Sequence, residues 1–170
     1  MLRIAGVAAA MLALTGAAGA EVTAKAPDGM TIRIEAEAPL DKDAAWARLV
    51  DVAGWWSSDH TYSGDARMLS LDAQAGGCWC EIWNGGEIEH GRVVMVMPKQ
   101  TLRIHGAFGP LQELGVQAAM TLTLSEGAAG KTKLTLDYKA VGSSLSGLDK
   151  LATIVDQVLA EQVKRFAAAS

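Results

Sequence analysis

A long amphipathic segment near the C-terminus, residues 146–168, constrains the fold more than any other feature of the chain. Apolar side chains recur along it at helical spacing, which predicts one long helix with a wide apolar face. The stripe consists of Leu148, Leu151, Val155, Leu159, Gln162 and Phe166, flanked by Ile154 and Val158. A face this wide must be buried, so the rest of the chain has to supply a matching apolar surface.

The first part of that surface is predicted at residues 30–38, where Ile32, Ile34 and Ala36 alternate with polar residues. A period of two is typical of a strand with one buried face. Pro39 ends the strand, and Asp41 or Asp43 can cap a short helix that follows it. The next stretch, residues 55–65, has no period and is predicted to be a loop or a short helical turn.

From Arg67 onward the chain predicts about six further strands in an antiparallel meander. Turn residues separate them at 75–77, 84–86, 98–99, 106–115 and 127–130. The last two strands alternate most regularly, with Val116, Ala118, Met120, Leu122 and Leu124 on one and Leu134, Leu136, Tyr138 and Ala140 on the other. The predicted class is therefore α+β, a curved antiparallel sheet of about seven strands wrapped around the long C-terminal helix.

The first twenty residues are predicted to lie outside this fold. They carry one positive charge at Arg3, an apolar stretch over 4–14, and small residues ending at Ala20, as in a cleavable signal peptide. The apolar stretch is shorter than the roughly 20 residues of a membrane span. We therefore predict a signal peptide over 1–20, a short extension over 21–29 and a single domain over 30–168. The protein is therefore predicted to be periplasmic or secreted. After cleavage of the signal peptide we expect no stable insertion into the membrane.

The composition and charge of the chain limit the classes of molecule that it can bind. Fifteen Lys and Arg face nineteen Asp and Glu, a net charge of −4, so the basic excess expected of a nucleic-acid-binding protein is missing. The sequence contains no P-loop, dinucleotide-binding glycine motif or familiar zinc spacing, and we predict no cofactor and no metal. We therefore predict that the partner is a small molecule, one that is apolar or amphipathic.

Several local features together resemble the SRPBCC superfamily, also called START or polyketide cyclase-like. They are the Trp55-Trp56 pair after the first helix, Gly76-Gly77 opening a strand, the His90-Gly91-x-Val93 stretch that runs to Pro98, and the terminal helix. Within this superfamily the chain most resembles the activator-of-heat-shock-ATPase-homologue branch, and with its predicted signal peptide it looks like an exported bacterial member of that branch. The resemblance implies the helix-grip fold and an apolar cavity between sheet and helix. Its members bind lipids or hormones, cyclise or dehydrate polyketides, or regulate chaperones.

Cys78 and Cys80 form a C-x-C on a predicted strand. Alternate residues of a regular strand are about 6.6 Å apart, farther than a disulfide favours, so we predict two free thiols unless a bulge intervenes. A metal site is a further alternative, since a turn at 84–86 would set His90 opposite Cys80 on the face of the thiols. One residue of register change would remove that alternative.

The other face of the same strand places Trp79 and Trp83 on either side of Glu81. If this face lines the cavity, Glu81 is a desolvated acid with a raised pKa that is suited to general acid–base chemistry. If it faces outward, Glu81 is simply solvated. Both interpretations remain open at the level of sequence.

A binding site is predicted where the indoles meet polar side chains, because a largely apolar pocket needs few polar groups to orient a ligand. Ser57, Ser58 and Asp59 are assigned to turns and caps. The predicted ligand-binding residues are Trp55, Trp56, His60, Tyr62, Trp79, Glu81, Trp83, His105 and Phe108, the last on a long lid-like loop. The sequence thus predicts a small-molecule-binding protein. The alternatives are a cyclase, dehydratase or hydrolase that uses Glu81, His60 or His105, and a regulator of another envelope protein.

Overall fold

The computed structural model describes residues 19–169, and the greater part of the predicted signal peptide lies outside them. Eight strands carry the fold: β1 Gly19–Ala26, β2 Gly29–Ala38, β3 Leu69–Leu71, β4 Cys78–Trp83, β5 Gly86–Met97, β6 Thr101–His105, β7 Gln117–Glu126 and β8 Thr132–Val141. The two α-helices are α1 Lys42–Val50 and α2 Leu148–Ala167. Within the described residues, neither helix has the length and apolar character needed to cross a membrane.

All eight strands form a single antiparallel sheet in the order β1-β2-β8-β7-β6-β5-β4-β3. The pairing of β2 with β8 joins the first hairpin to the end of the meander. Helix α2 then crosses the inner face, packing chiefly on β1 and β2. The predicted α+β fold, a sheet wrapped around the C-terminal helix, is confirmed, with eight strands in place of about seven.

The additional strand is β1, which occupies most of the predicted N-terminal extension. It pairs with β2 along the sheet edge, from Gly19 opposite Glu35 to Ala26 opposite Gly29. Its side chains from Glu21 onward are exposed except for the half-buried Val22. The apolar residues Val22, Ala24 and Ala26 do alternate with polar residues here. Two of the three are alanines, which are depleted in strands, so the alternation is a weak signal and no strand was predicted.

The alternating patterns predicted in β2, β7 and β8 do define the buried face. Ile32, Ile34, Met120, Leu122, Leu134, Leu136 and Tyr138 are all 0–1% exposed. Helix α1 begins where expected, with the Asp41 carboxylate accepting the backbone N–H of Ala44 at 2.8 Å. Helix α2 is two residues shorter at its start than predicted, because Gly147 precedes it in the left-handed conformation.

A bulge in β5 changes the register between β4 and β5. Trp79 pairs with Gly91 whereas Cys80 pairs with Glu89, so His90 is the extra residue. Its side chain therefore turns to the buried face, where His90 is only 5% exposed. The prediction that His90 lies opposite Cys80 on the face of the thiols is wrong.

The prediction of two free thiols is also wrong, since Cys78 and Cys80 form a disulfide with their Cα atoms 5.4 Å apart. The regular strand spacing on which that prediction was based does not hold beside the bulge, and the shorter separation lies within the usual disulfide range. Both sulfurs face away from the core, opposite Trp79 and Glu81.

Thiol counting tests this pairing. Denatured but unreduced protein is expected to react with no alkylating reagent and to gain two hydrogens in mass after reduction. A double Cys78→Ser, Cys80→Ser variant, which cannot gain them, is the control. Two alkylated cysteines in protein isolated under oxidising conditions would contradict the disulfide.

Candidate functional site

A cavity of about 560 Å³ lies between the sheet, α2 and two loops. This volume falls in the range of small-molecule sites. Its lining is mostly apolar and comprises Trp56, Asp59, His60, Thr61, Tyr62, Phe108, Gly109, Pro110, Leu111, Glu113, Leu114, Tyr138, Leu151, Ile154, Val155, Val158 and Leu159.

One wall is a stripe of α2. Its lining residues follow the spacing i, i+3, i+4, i+7, i+8, the period of one helix face. They are Leu151, Ile154, Val155, Val158 and Leu159. Because α2 packs chiefly on β1 and β2 at one edge of the sheet, this stripe borders the cavity on that side.

The opposite wall is the loop over residues 106–116, predicted as a lid. Phe108 reaches inward from it, its ring centroid 5.1 Å from that of Trp79 and 6.5 Å from that of Tyr138. Leu111 is buried, while Leu114 remains 44% exposed at the opening. The loop therefore closes the cavity with apolar side chains on the side away from α2.

The third element is the segment that contains Trp56 and His60. The backbone N–H of Ser57 donates to the buried side chain of Gln162 on α2 at 2.7 Å. The Trp56 indole N–H donates to the backbone oxygen of His60 at 3.0 Å. These bonds fix the turn so that the Trp56 ring and the His60 side chain both line the cavity.

The polar groups of the lining include two carboxylates, those of Asp59 and Glu113. Asp59 and Glu113 are exposed at the opening, and the His60 ring lies 3.1 Å from the carboxylate of Glu161. Among residues 19–169, no lysine or arginine lines the cavity. An anionic group on a ligand would therefore meet repulsion from the two carboxylates at the opening and, within the described lining, no lysine or arginine.

Tyr138 forms part of the floor. It is 1% exposed, and its hydroxyl oxygen has no hydrogen-bond partner among the described residues. Burial raises the pKa of the phenol well above its ordinary value, so the hydroxyl stays protonated.

Four of the predicted ligand-binding residues line the cavity: Trp56, His60, Tyr62 and Phe108. Trp55 and Trp79 are not among the lining residues, and both side chains are buried in the core. Their rings meet edge to face at 6.4 Å, and Trp55 also packs against Phe166 at 5.8 Å. The structure therefore places these two indoles in the hydrophobic core.

Glu81 also lies outside the lining, although it is fully buried. Its carboxylate accepts the backbone N–H groups of Tyr62 at 3.1 Å and Ser63 at 2.5 Å, and lies 3.0 Å from Nε2 of His90. Burial alone would raise the pKa of Glu81, but the hydrogen bonds from Ser63, Tyr62 and His90 outweigh it and lower the pKa. The predicted cavity acid is instead an ionised anchor for the segment that carries Tyr62.

Trp83 and His105 complete the set, and neither lines the cavity. Trp83 is half-buried at the end of β4, where its ring covers the glycines of the turn, Gly85 and Gly86. His105 is exposed at the end of β6. The structure brings neither side chain near the residues that enclose the cavity.

His90 gives the fold a testable pH dependence. Burial lowers the pKa of His90 below its ordinary 6.5, and this exceeds the opposing effect of Glu81. Below pH 6.5 the unfolded chain therefore binds a proton that the folded chain resists, so stability contributed by neutral His90 is lost as the pH falls.

Urea unfolding between pH 7 and pH 5 is expected to show this loss, at up to about 1.4 kcal/mol per pH unit. His90→Gln keeps an N–H donor for Glu81 but cannot titrate, and its stability should vary less over the same interval. His105→Gln is the exposed control and should behave as the wild type does. Identical profiles for His90→Gln and the wild type would refute the assignment.

Most of the residues that line the cavity were not predicted as site residues from the sequence. The α2 stripe and Tyr138 had been identified as apolar patterns and were assigned to the core. Tyr138 carried a detectable signal, since it is the one aromatic residue among the inward positions of β8. Asp59, Thr61 and Glu113 gave none, because their approach depends on loop conformation.

The curved antiparallel sheet wrapped around α2 defines a helix-grip fold, and solved structures share this fold. The chain superimposes with a TM-score of 0.57 on a conserved protein of unknown function, EF2215, from Enterococcus faecalis (12% identity, 90% of this chain, 80% of that one). Ms6760 from Mycobacterium smegmatis gives 0.57 as well (16% identity, 81% and 88%). DynU16, from the dynemicin biosynthetic locus, gives 0.56 (21% identity, 81% of this chain but 45% of that one). No protein-family model and no curated protein sequence matches the chain.

Proposed function

We propose that this protein is an exported small-molecule-binding protein that holds an apolar or amphipathic ligand between the sheet and α2. The observation that carries the proposal is the cavity of about 560 Å³, enclosed by the α2 stripe, the 106–116 loop and the Trp56 segment. An apolar chamber of this size favours ligands that gain from leaving water. The absence of lysine and arginine from its lining within the described residues favours a ligand without negative charge.

The two alternatives have less support. Of the groups suggested for acid–base catalysis, Glu81 is held by three hydrogen bonds outside the cavity and His105 lies on the surface. His60 alone lines the cavity. A regulator of another envelope protein would need an exposed apolar patch around Phe108, but Phe108 is half-buried and faces the chamber. The proposal includes export. Intact-mass measurement of protein recovered from the cell envelope tests it, and we expect the chain to begin at Glu21.

A matched pair of dyes tests the chamber and its preference for uncharged ligands. N-phenyl-1-naphthylamine is neutral, and 8-anilino-1-naphthalenesulfonate carries the same rings with a sulfonate. We expect the neutral dye to bind with increased emission and the sulfonate to bind at least tenfold more weakly, since it must pass Asp59 and Glu113.

A double Asp59→Asn, Glu113→Gln variant should narrow that difference without changing affinity for the neutral dye. Asp72→Asn with Glu87→Gln, two exposed positions outside the lining, should leave the difference unchanged. Failure of the folded protein to bind the neutral dye would contradict the proposed function. Equal binding of both dyes would contradict the charge preference alone.

A further inference from the structure

The disulfide between Cys78 and Cys80 lies on the outer face of the sheet, since the alternate residues Trp79 and Glu81 are buried on the inner face. Both cysteines are half-buried, and Ser70, which pairs with Cys80 on β3, is exposed. Helix α2 packs chiefly on β1 and β2, and α1 contacts β7, so neither helix covers this part of the outer face. The two sulfurs are therefore open to attack from solvent.

This disulfide adds little to the stability of the fold. A disulfide stabilises chiefly by closing a loop, and the gain increases with the length of the loop. Here a single residue, Trp79, separates the two cysteines, and β4 is already paired with β3 on one side and β5 on the other. Structural disulfides resist reduction, whereas exposed ones are the labile, regulatory or catalytic ones. Position and spacing thus indicate a reactive disulfide.

The two sulfurs differ in the charge that faces them from β5. Cys78 pairs with Arg92, whereas Cys80 pairs with Glu89. Directly paired residues project from the same face of a sheet, with Cβ atoms about 5 Å apart. The guanidinium of Arg92 is held there by hydrogen bonds to the carboxylate of Glu89 and, at 2.8 Å, to the backbone oxygen of Gly76. A neighbouring cation stabilises a thiolate and a carboxylate opposes one, so Cys78 is the better leaving group.

We propose that the Cys78–Cys80 disulfide is a redox-active site that accepts two electrons from a dithiol, an activity separate from ligand binding in the chamber. One thiolate of the dithiol attacks Sγ of Cys80, and the Sγ–Sγ bond breaks with its electron pair on Sγ of Cys78, beside Arg92. The second thiolate of the dithiol then attacks its own partner sulfur in the mixed disulfide and releases Cys80. The dithiol leaves as a disulfide, and its two electrons and two protons remain on the two cysteines. The same steps in reverse reoxidise the pair with a disulfide.

The rate at which dithiothreitol reduces the native protein at pH 7 tests the proposal. Oxidised glutathione, a fully accessible disulfide, is the reference in the same assay. Samples are quenched with excess alkylating reagent, and mass spectrometry then counts the alkylated cysteines. We expect Cys78–Cys80 to be reduced at least as fast as oxidised glutathione. A reduced peptide with a Cys-x-x-Cys pair is the second electron donor: a faster reaction than with dithiothreitol assigns the dithiol to a protein, and a slower one to a small molecule.

Arg92→Gln removes the cation opposite Cys78 and should slow reduction about threefold, because the leaving thiolate loses its stabilisation. Lys139→Gln is the matched control. Lys139 is exposed on β8, which β7, β6 and β5 separate from β4, so its loss should leave the rate unchanged.

Single-cysteine variants test the different roles of the two sulfurs. Cys80→Ser keeps only the thiol of Cys78, and Cys78→Ser keeps only that of Cys80. At pH 6 we expect iodoacetamide to alkylate Cys78 at least about threefold faster than Cys80, because the thiolate is the reacting form and Arg92 favours it at Cys78.

Reduction slower than that of oxidised glutathione, or only after denaturation, would overturn the proposal by showing that the disulfide is structural. Equal rates for Arg92→Gln and Lys139→Gln, or alkylation of Cys80 as fast as that of Cys78, would overturn the assignment of Cys78 as the leaving group. The dye-binding test of the proposed function is independent of each of these results.

Discussion

Glu81→Ala is expected to lower the free energy of unfolding by about 3 kcal/mol, because a buried carboxylate with three hydrogen bonds is lost at once. The backbone N–H groups of Tyr62 and Ser63 lose their acceptor, and the buried ring of His90 loses its partner. Each unsatisfied buried group costs about 1–3 kcal/mol. Because one carboxylate makes all three hydrogen bonds, its removal leaves all three groups without a partner at the same time.

Chemical denaturation at pH 7 measures this effect, with Glu87→Ala as control on the neighbouring strand. Glu87 is exposed, and its removal should change stability by no more than about 0.5 kcal/mol. Glu81→Gln keeps one acceptor oxygen and should fall between the two. Equal stability of Glu81→Ala and Glu87→Ala would show that Glu81 does not anchor the Tyr62 segment.

Filling the chamber is expected to reduce binding of N-phenyl-1-naphthylamine by at least about 100-fold, or 2.7 kcal/mol. Leu151 and Val155 are one turn apart on the wall formed by α2, and both side chains line the cavity. A double Leu151→Trp, Val155→Trp variant places two indoles in the space that the dye would occupy. Binding should fail because volume has been removed while the outer surface stays unchanged.

The matched control is Thr153→Trp with Gln157→Trp, which adds the same two indoles at exposed positions of α2 with the same spacing. The dye is excited directly, so that energy transfer from the new tryptophans does not contribute. Both variants are checked for folding by denaturation. Retention of wild-type affinity by the folded Leu151→Trp, Val155→Trp variant would place the dye outside the chamber.

The regular parts of the fold could be predicted because burial imposes a period on the sequence. Ile32 and Ile34 in β2 alternate with polar neighbours, and α2 repeats at helical spacing, so both elements follow from pattern alone. β1 also alternates, but two of its three apolar positions, Ala24 and Ala26, are alanines, so its pattern is a much weaker signal. It lies on the sheet edge with mostly exposed side chains, and its pairing with β2 is made by backbone groups that any sequence supplies.

The site was predicted less well because its residues are determined by strand register and by how deeply each side chain is buried. One extra residue at His90 turns that side chain inward and allows the Cys78–Cys80 disulfide, and no local pattern predicts where a bulge falls. Aromatic composition was equally ambiguous. Trp55 and Trp56 are adjacent in sequence, yet the first fills the core and the second lines the cavity.

The central claim is that the chamber holds a small molecule, and native mass spectrometry of the protein purified from its own cells tests it most directly. The wild type is expected to carry an additional neutral mass of a few hundred daltons, which is released on denaturation and displaced by N-phenyl-1-naphthylamine. Protein with the Leu151→Trp, Val155→Trp change should show only the mass of its polypeptide. A wild-type spectrum without added mass, from folded protein that also fails to bind the dye, would contradict the claim.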